Sequence, residues 1–231
     1  MSHAPNSIGW ANERERKKRE KRMTHLLMNK LKMPLFKTST MYDFGVFGGF
    51  DFDLRKLGFK GGIFFKDKGR SVIPGHLIRP RDKFELKKSV RGKRGFILLE
   101  GGDYDLWRYA AEKCLVDGII GMEKSKEGMD DVLAKRMAER KVSLVINLRD
   151  YTKARRREVV LGRMMRHTFL AKKFNTPIML VSGARRKEEL KHPYVMISFG
   201  VMLGLSVKEA KDALRVVQEE VIKRFKNEAN A

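Results

Sequence analysis

The sequence predicts an α/β fold, a largely parallel barrel with about seven clear strands, and three observations carry that expectation. After Pro34, short apolar runs alternate with amphipathic stretches at helical spacing, the signature of βα units. Several of these runs end in Gly, Asp or Ser immediately before a helical stretch, where a chain leaving a strand turns into a capped helix. The 231 residues fit one barrel domain with an added segment.

The elements follow in order. From position 13 to 22 every residue is charged, and seven of those ten are positive. No apolar face is available there to dock on a core, so residues 1–38 are expected to form a basic extension, partly disordered or helical, ordered by a partner. Residues 39–231 are assigned to the barrel. Its strands are expected at 40–46, 62–65, 76–79, 96–100, 118–121, 144–148 and 178–182. In "LLEGGDYDLWRYAAEK", Asp103 caps a helix whose Leu106, Tyr109 and Ala110 face inward, with Trp107 in the core and Arg108 outward. Residues 129–141 form a helix on Leu133 and Met137, and residues 159–173 a second one on Val160, Met164, Thr168 and Ala171, with Arg163, Arg166 and His167 toward solvent. "HPYVMISFGVMLGL" reads as a buried helix. A final helix opens on the capping box Ser206 and Glu209 and buries Ala210, Leu214, Val217, Val221 and Phe225. No eighth strand is evident after Ser182. The barrel should therefore be an irregular, TIM-like (β/α) barrel; a doubly wound open sheet is the alternative.

Charge points to a partner. Lys and Arg number 51 against 28 Asp and Glu, a formal +23. Positions 1–38 hold ten basic and three acidic residues, so the remaining body holds 41 against 25 and is itself strongly basic. A basic folded body favours a shaped RNA or DNA surface over a tail on an indifferent domain; a proteome-wide basic bias is the alternative. The single cysteine, Cys114, excludes an internal disulfide and a cysteine metal cluster, which fits a reducing compartment. The amino terminus lacks an apolar signal core, and the longest apolar run, 194–205, is well short of the ~20 residues of a membrane span. A soluble, cytoplasmic protein with no membrane partner is expected.

Catalytic groups of a parallel barrel sit at the carboxy ends of the strands. Those positions hold Asp43, Glu100, Asn147, Arg149 and Ser182, which form no recognisable constellation. A metal-dependent phosphoesterase would open with paired histidines on the first strand, whereas "MYDFGVFG" has none and His3, His25, His76, His167 and His192 are scattered. No catalytic residue, metal or protein-bound cofactor is therefore expected. "GVFGGF" and "FKGGIFF" lack the lysine and spacing of a nucleotide loop, and Gly48 and Gly49 read as a turn. What remains are cations on loops and helix faces. Arg79 and Arg81 flank Pro80, Arg149, Lys153, Arg155 and Arg156 follow the sixth strand, and Arg185 and Arg186 follow the seventh. Loops at one end of a parallel barrel gather in space, and arginine is the usual bidentate phosphate ligand. Three such runs on one rim, with Arg163 and Arg166 behind them, predict binding to nucleic-acid phosphates.

Taken together, "GFILLEGGDYDLWRYAAEK", "VDGII", "GMDDVLAKRMAERKVSLVINLRD" and "AKKFNTPIMLVSGAR" resemble the archaeal and eukaryotic ribonuclease P protein component three, the thirty-kilodalton subunit family. The likeness runs from about residue 73 to 205. It implies a TIM-like barrel without catalytic residues that binds the catalytic domain of the ribonuclease P RNA. It also implies partners: component two, a ferredoxin-like protein, the other ribonuclease P proteins and, indirectly, precursor tRNA, from which the complex removes 5′ leaders. The chemistry would belong to the RNA and its magnesium ions. The family's basic positions carry over to Arg108, Lys126, Lys135, Lys141 and Arg185. Asp131 stands where relatives carry His, and Pro193-Tyr194-Val195 where they often carry Pro-Arg-Asp. Two other classes stay open: a metal-dependent phosphoesterase or nuclease on a barrel, and a ribosome-associated RNA-binding protein or RNA chaperone.

Overall fold

The computed structural model describes residues 40–66 and 71–229, so the expectations for the charged extension lie outside it. Seven parallel strands are present among the described residues: β1 (Tyr42–Val46), β2 (Gly61–Phe64), β3 (Gly75–Ile78), β4 (Phe96–Glu100), β5 (Gly118–Ile120), β6 (Ser143–Asn147) and β7 (Ile178–Val181). The β3 to β7 strands form one ladder in sequence order, and β1 pairs with β2. A few loop and side-chain bonds bridge the two seams. At β2–β3, the Val72 N–H donates to the Gly62 carbonyl at 3.0 Å and the Phe64 N–H to Ser71 Oγ at 2.8 Å. At β7–β1, the Ser182 N–H donates to Asp43 Oδ1 at 3.1 Å, and the Phe47 and Gly48 N–H groups to the Ala184 carbonyl at 2.8 and 3.0 Å.

Both faces of the strands are apolar, as a sheet covered on each side requires. Tyr42, Phe44, Ile63, Phe96, Leu98, Ile120, Val145, Met179 and Val181 fill the barrel interior. Alternate residues, among them Leu99, Ile119, Leu144, Ile146 and Leu180, face the outer helices. Those helices are α1 (Lys83–Val90), α2 (Tyr104–Glu112), α3 (Asp131–Glu139), α4 (Leu148–Thr152), α5 (Arg157–Phe174), α6 (Pro193–Met202), α7 (Val207–Asp212) and α8 (Val216–Ala229). Side-chain caps start two of them where the sequence indicates: Asp103 accepts from the Leu106 N–H, and Ser206 and Glu209 form the expected reciprocal box; Asp130, not singled out in the sequence, likewise accepts from the Leu133 N–H. Trp107 is buried, and its Nε1–H donates to the Gly101 carbonyl at 2.7 Å, tying down the loop after β4.

Three expectations need correction. The helix expected from Ser206 onward is two helices, because the backbone at Ala213 and Leu214 has other work. Their carbonyls accept from the Leu180 N–H at 3.0 Å and the Tyr42 N–H at 2.8 Å, so this bend stands between β7 and β1 where an eighth strand would run. Beyond it, α8 places Val217, Val221, Ile222 and Phe225 against the interior cluster and pairs Arg224 with Asp117, just ahead of β5, so it covers the amino-terminal mouth of the barrel. Secondly, His167 does not face solvent: it is 3% exposed, and its Nε2 accepts from the Met129 N–H at 3.1 Å. Thirdly, α6 is a helix but only half sunk, with Tyr194, Val195, Val201 and Met202 about two-fifths exposed.

Candidate nucleic-acid interface

The carboxy ends of the strands carry the polar groups that the sequence singles out, and each is held by its neighbours. Asp43, fully buried, accepts through Oδ1 from the N–H groups of Ser182 and Gly45, each at 3.1 Å; burial raises its pKa, with the Ser182 bonds opposing. Ser182 Oγ accepts from the Ala184 N–H at 3.2 Å. Asn147 caps α4, accepting from the Arg149 N–H at 2.9 Å and donating to Asp150 at 3.0 Å. Gly183 must lie beside it: its φ is +70°, and a Cβ there would fall 1.8 Å from Asn147 Oδ1. These are positioning bonds that fix the turns leaving β1, β6 and β7.

Around this frame runs an ion-pair network of which sequence reasoning named Glu100 but missed the other acidic members, Glu123, Asp150 and Glu189. Glu100 accepts from Arg79 Nε at 2.8 Å and lies 3.5 Å from Lys124 Nζ, which in turn sits 3.0 Å from Asp150. Glu123, next to Lys124 in the chain, is buried with one oxygen lacking any hydrogen bond. Burial, and then the charge of Asp150, push its pKa up to about 8, so it is protonated at neutral pH. Burial alone would lower the Lys124 pKa; Asp150, Glu100 and Glu123 reverse that and raise it. On the other side, Glu189 Oε2 accepts from Arg149 Nε at 3.0 Å and the Arg185 N–H at 2.9 Å, with Lys153 Nζ 3.7 Å from Oε1. One short signal was available, the Asn147-X-X-Asp150 spacing of a helix cap. A buried Glu123 has none, because its surroundings come from other strands.

The predicted cations divide by place. Arg79, Arg81, Lys126, Arg149, Lys153, Arg155, Arg156, Arg185 and Arg186 all follow the carboxy ends of strands and share the rim. Arg149, Lys153 and Arg186 line one cleft, together with Lys191. Arg155 and Arg156 occupy the exposed link between α4 and α5, where Arg156 makes only a loose 3.5 Å pair with Glu158. Arg108 is on the outer face of α2, paired with Glu112 at 2.8 Å, and Lys135 and Arg166 are exposed on α3 and α5. Arg163 reaches inward, donating to the Glu123 carbonyl at 3.0 Å. Lys141 lies in the turn before β6, at the opposite end of the barrel. The fourteen residues thus do not form one surface; of them, Arg149, Lys153 and Arg186 are brought together in one cleft.

A parallel set of seven strands with outer helices and a cation-bearing rim at the strand ends places the molecule in the class of β/α-barrel proteins. Residues 78–229 match the family model described as RNase P subunit p30, and the chain belongs to that family. Ribonuclease P protein component 3 of Methanosarcina mazei is 32% identical over 138 residues, 58% of this chain and 57% of that protein. The same-named protein of Methanococcus maripaludis is 31% identical over 129 residues, 53% of this chain and 56% of the relative. This chain thus spans a little over half the length of these relatives. That of Archaeoglobus fulgidus is 27% identical over 191 residues, 81% of this chain and 91% of its own length. A chain in the cryo-EM structure of archaeal ribonuclease P with mature tRNA superposes with a TM-score of 0.66 at 23% identity, over 80% of this chain and 90% of that one, which shows a shared fold.

Proposed function

We propose that this chain is an RNA-binding subunit of ribonuclease P, which assists the RNA of that complex in removing 5′ leaders from precursor tRNA. The observation that carries the reading is the gathering of Arg149, Lys153, Arg186 and Lys191 around one cleft on the rim, in a member of the p30 family. In this reading the rim meets the backbone of the ribonuclease P RNA, at its catalytic domain. Component two, of ferredoxin-like fold, and the other ribonuclease P proteins are the protein partners, and precursor tRNA is reached through the assembly. The chemistry is assigned to the RNA and its magnesium ions, with Glu100, Asn147 and Ser182 as supports of the rim. The reading places the protein in the cytoplasm. No helix among the described residues is long and apolar enough to cross a membrane.

The test is reconstitution. Ribonuclease P RNA with its protein set is assayed for precursor-tRNA cleavage with and without this chain, alongside filter binding of the chain to the RNA. Neutralising six to ten phosphates lowers affinity by about 10³ to 10⁵ between 50 and 200 mM salt. Flat salt dependence, or cleavage indifferent to the chain, would overturn the reading; cleavage by the chain and a divalent metal without RNA would favour the nuclease alternative.

A further inference from the structure

Between α4 and the turn after β7 lies a cleft of about 470 Å³, a size suited to one nucleotide-sized group and too small for a duplex. Arg149, Thr152, Lys153, Arg186, Glu189 and Lys191 line it. Arg149 is fixed there twice over. Its backbone is locked in a capped turn, with its N–H on Asn147 and its carbonyl accepting from Thr152 Oγ1 at 3.2 Å. Its guanidinium is held through one nitrogen only, the Nε–H to Glu189 at 3.0 Å. The two terminal nitrogens make no hydrogen bond among the described residues, although the side chain is only 23% exposed.

Glu189 is therefore an anion already seated among cations. Its side chain is 13% exposed. Burial would raise its pKa, but the Arg185 N–H and Arg149 outweigh that and lower it, so it stays charged. By taking the Nε edge, it leaves the outer fork of the guanidinium to a second anion. Four cations line the cleft against Glu188 and Glu189, a positive excess that favours an anionic occupant.

Resting on the RNA-binding reading above, we propose that this cleft seats a single RNA phosphate, with Arg149 as its bidentate ligand and Glu189 as the residue that aims it. Glu189 plays two opposed parts: its oxygen positions Arg149, while its charge repels the phosphate. The amide of Glu189→Gln keeps an acceptor and removes the charge; Glu189→Ala removes both.

The experiment is fluorescence anisotropy of the full chain with a labelled twelve-nucleotide single-stranded RNA, made with a 5′-phosphate and with a 5′-hydroxyl. Thermal melts followed by circular dichroism verify that each variant folds. Arg149→Gln is expected to weaken binding about ten-fold, as loss of a charge-assisted pair to phosphate does. Lys93→Gln, at the other end of the barrel, is expected to change it less than two-fold. Glu189→Gln should bind about three-fold tighter than wild type, and Glu189→Ala more weakly than Glu189→Gln. Tighter binding of the 5′-phosphorylated RNA, lost in Arg149→Gln, identifies a terminal phosphate as the occupant; equal binding of the two RNAs identifies an internal phosphodiester. A folded Arg149→Gln that matches Lys93→Gln overturns the cleft while leaving the RNA-binding reading in place. Glu189→Gln binding no tighter than wild type overturns the role of Glu189. Failure of the wild-type chain to bind either RNA would instead remove the reading on which the proposal rests.

Discussion

His167 and Glu123 show how single buried groups set the pH range of this protein. With Nε2 accepting from the Met129 N–H, the His167 ring is neutral; burial, and then the charges of Arg166 and Arg163, push its pKa down to about 4. The unfolded chain binds that proton near pH 6.5 and the folded one only near 4, so stability falls as pH drops through this window. The loss amounts to about 3 kcal/mol. Urea unfolding at pH 7 and pH 4.5 should show wild type losing about 2 kcal/mol more than His167→Gln, which keeps an acceptor and does not titrate; equal losses would refute the assignment. Glu123 works in the opposite direction. Unfolded, it ionises near 4.5, whereas folded it holds its proton to about 8, so the folded state is penalised as pH rises between the two. Glu123→Gln should melt a few degrees higher than wild type at pH 9, and the gap should close near pH 4.5. Neither group was legible in the sequence. His167 follows two arginines on an amphipathic stretch and reads as solvated, because its partner at Met129 lies 38 positions away.

At the scale of elements, much more could be read. The seven strands fall where apolar runs and turn residues place them, and the capping residues Asp103 and Ser206 mark helix starts that the structure keeps. What failed was continuity: residues 206–229 carry one helical pattern, yet the chain breaks at Ala213 because carbonyls there complete the seam between β7 and β1. Local periodicity contains no information about that distant demand. The irregularity of the barrel was legible as the missing eighth strand, though not the bend that replaces it. The turns leaving β6 and β7 are coupled, and this gives a prediction. Gly183→Ala places a Cβ 1.8 Å from Asn147 Oδ1 at a φ of +70°. It should cost more than about 2 kcal/mol in chemical denaturation, through steric overlap and left-handed strain. Asn147→Ala, which removes the α4 cap, should cost about 1 kcal/mol and leave reconstituted precursor-tRNA cleavage within a few-fold of wild type. A loss on the scale of a catalytic residue, with the fold intact, would revive an enzymatic role for the strand ends.

For the molecule as a whole, net charge was the most informative quantity in the sequence, yet it gives no position. Cations are spread over both ends of the barrel: Arg91, Lys93 and Arg94 lie in the turn before β4 and Lys141 in the turn before β6, opposite the rim. What distinguishes the rim is organisation, since Glu100, Asp150 and Glu189 fix the side chains of Arg79, Lys124 and Arg149 among loops that carry further cations. Ordering long side chains in advance reduces the entropy lost on binding, so fixed cations yield more affinity per charge than free ones. Each phosphate contact also contributes about 0.9 to the slope of log affinity against log salt on a duplex and about 0.7 on a single strand. The proposed RNA site lies at this end of the barrel, and charge reversal at the two ends distinguishes it from a site elsewhere. Affinity of the full chain for ribonuclease P RNA is measured from 50 to 300 mM salt for Arg155→Glu/Arg156→Glu, on the rim, and for Arg91→Glu/Lys93→Glu, at the opposite end. Both variants change net charge by the same amount, so long-range attraction falls equally and only local contacts differ. The rim pair is expected to lose at least ten-fold in affinity and to flatten the salt slope by about two, while the opposite pair loses less than three-fold at the same salt. Equal losses, or a larger loss at the opposite end, would contradict that placement.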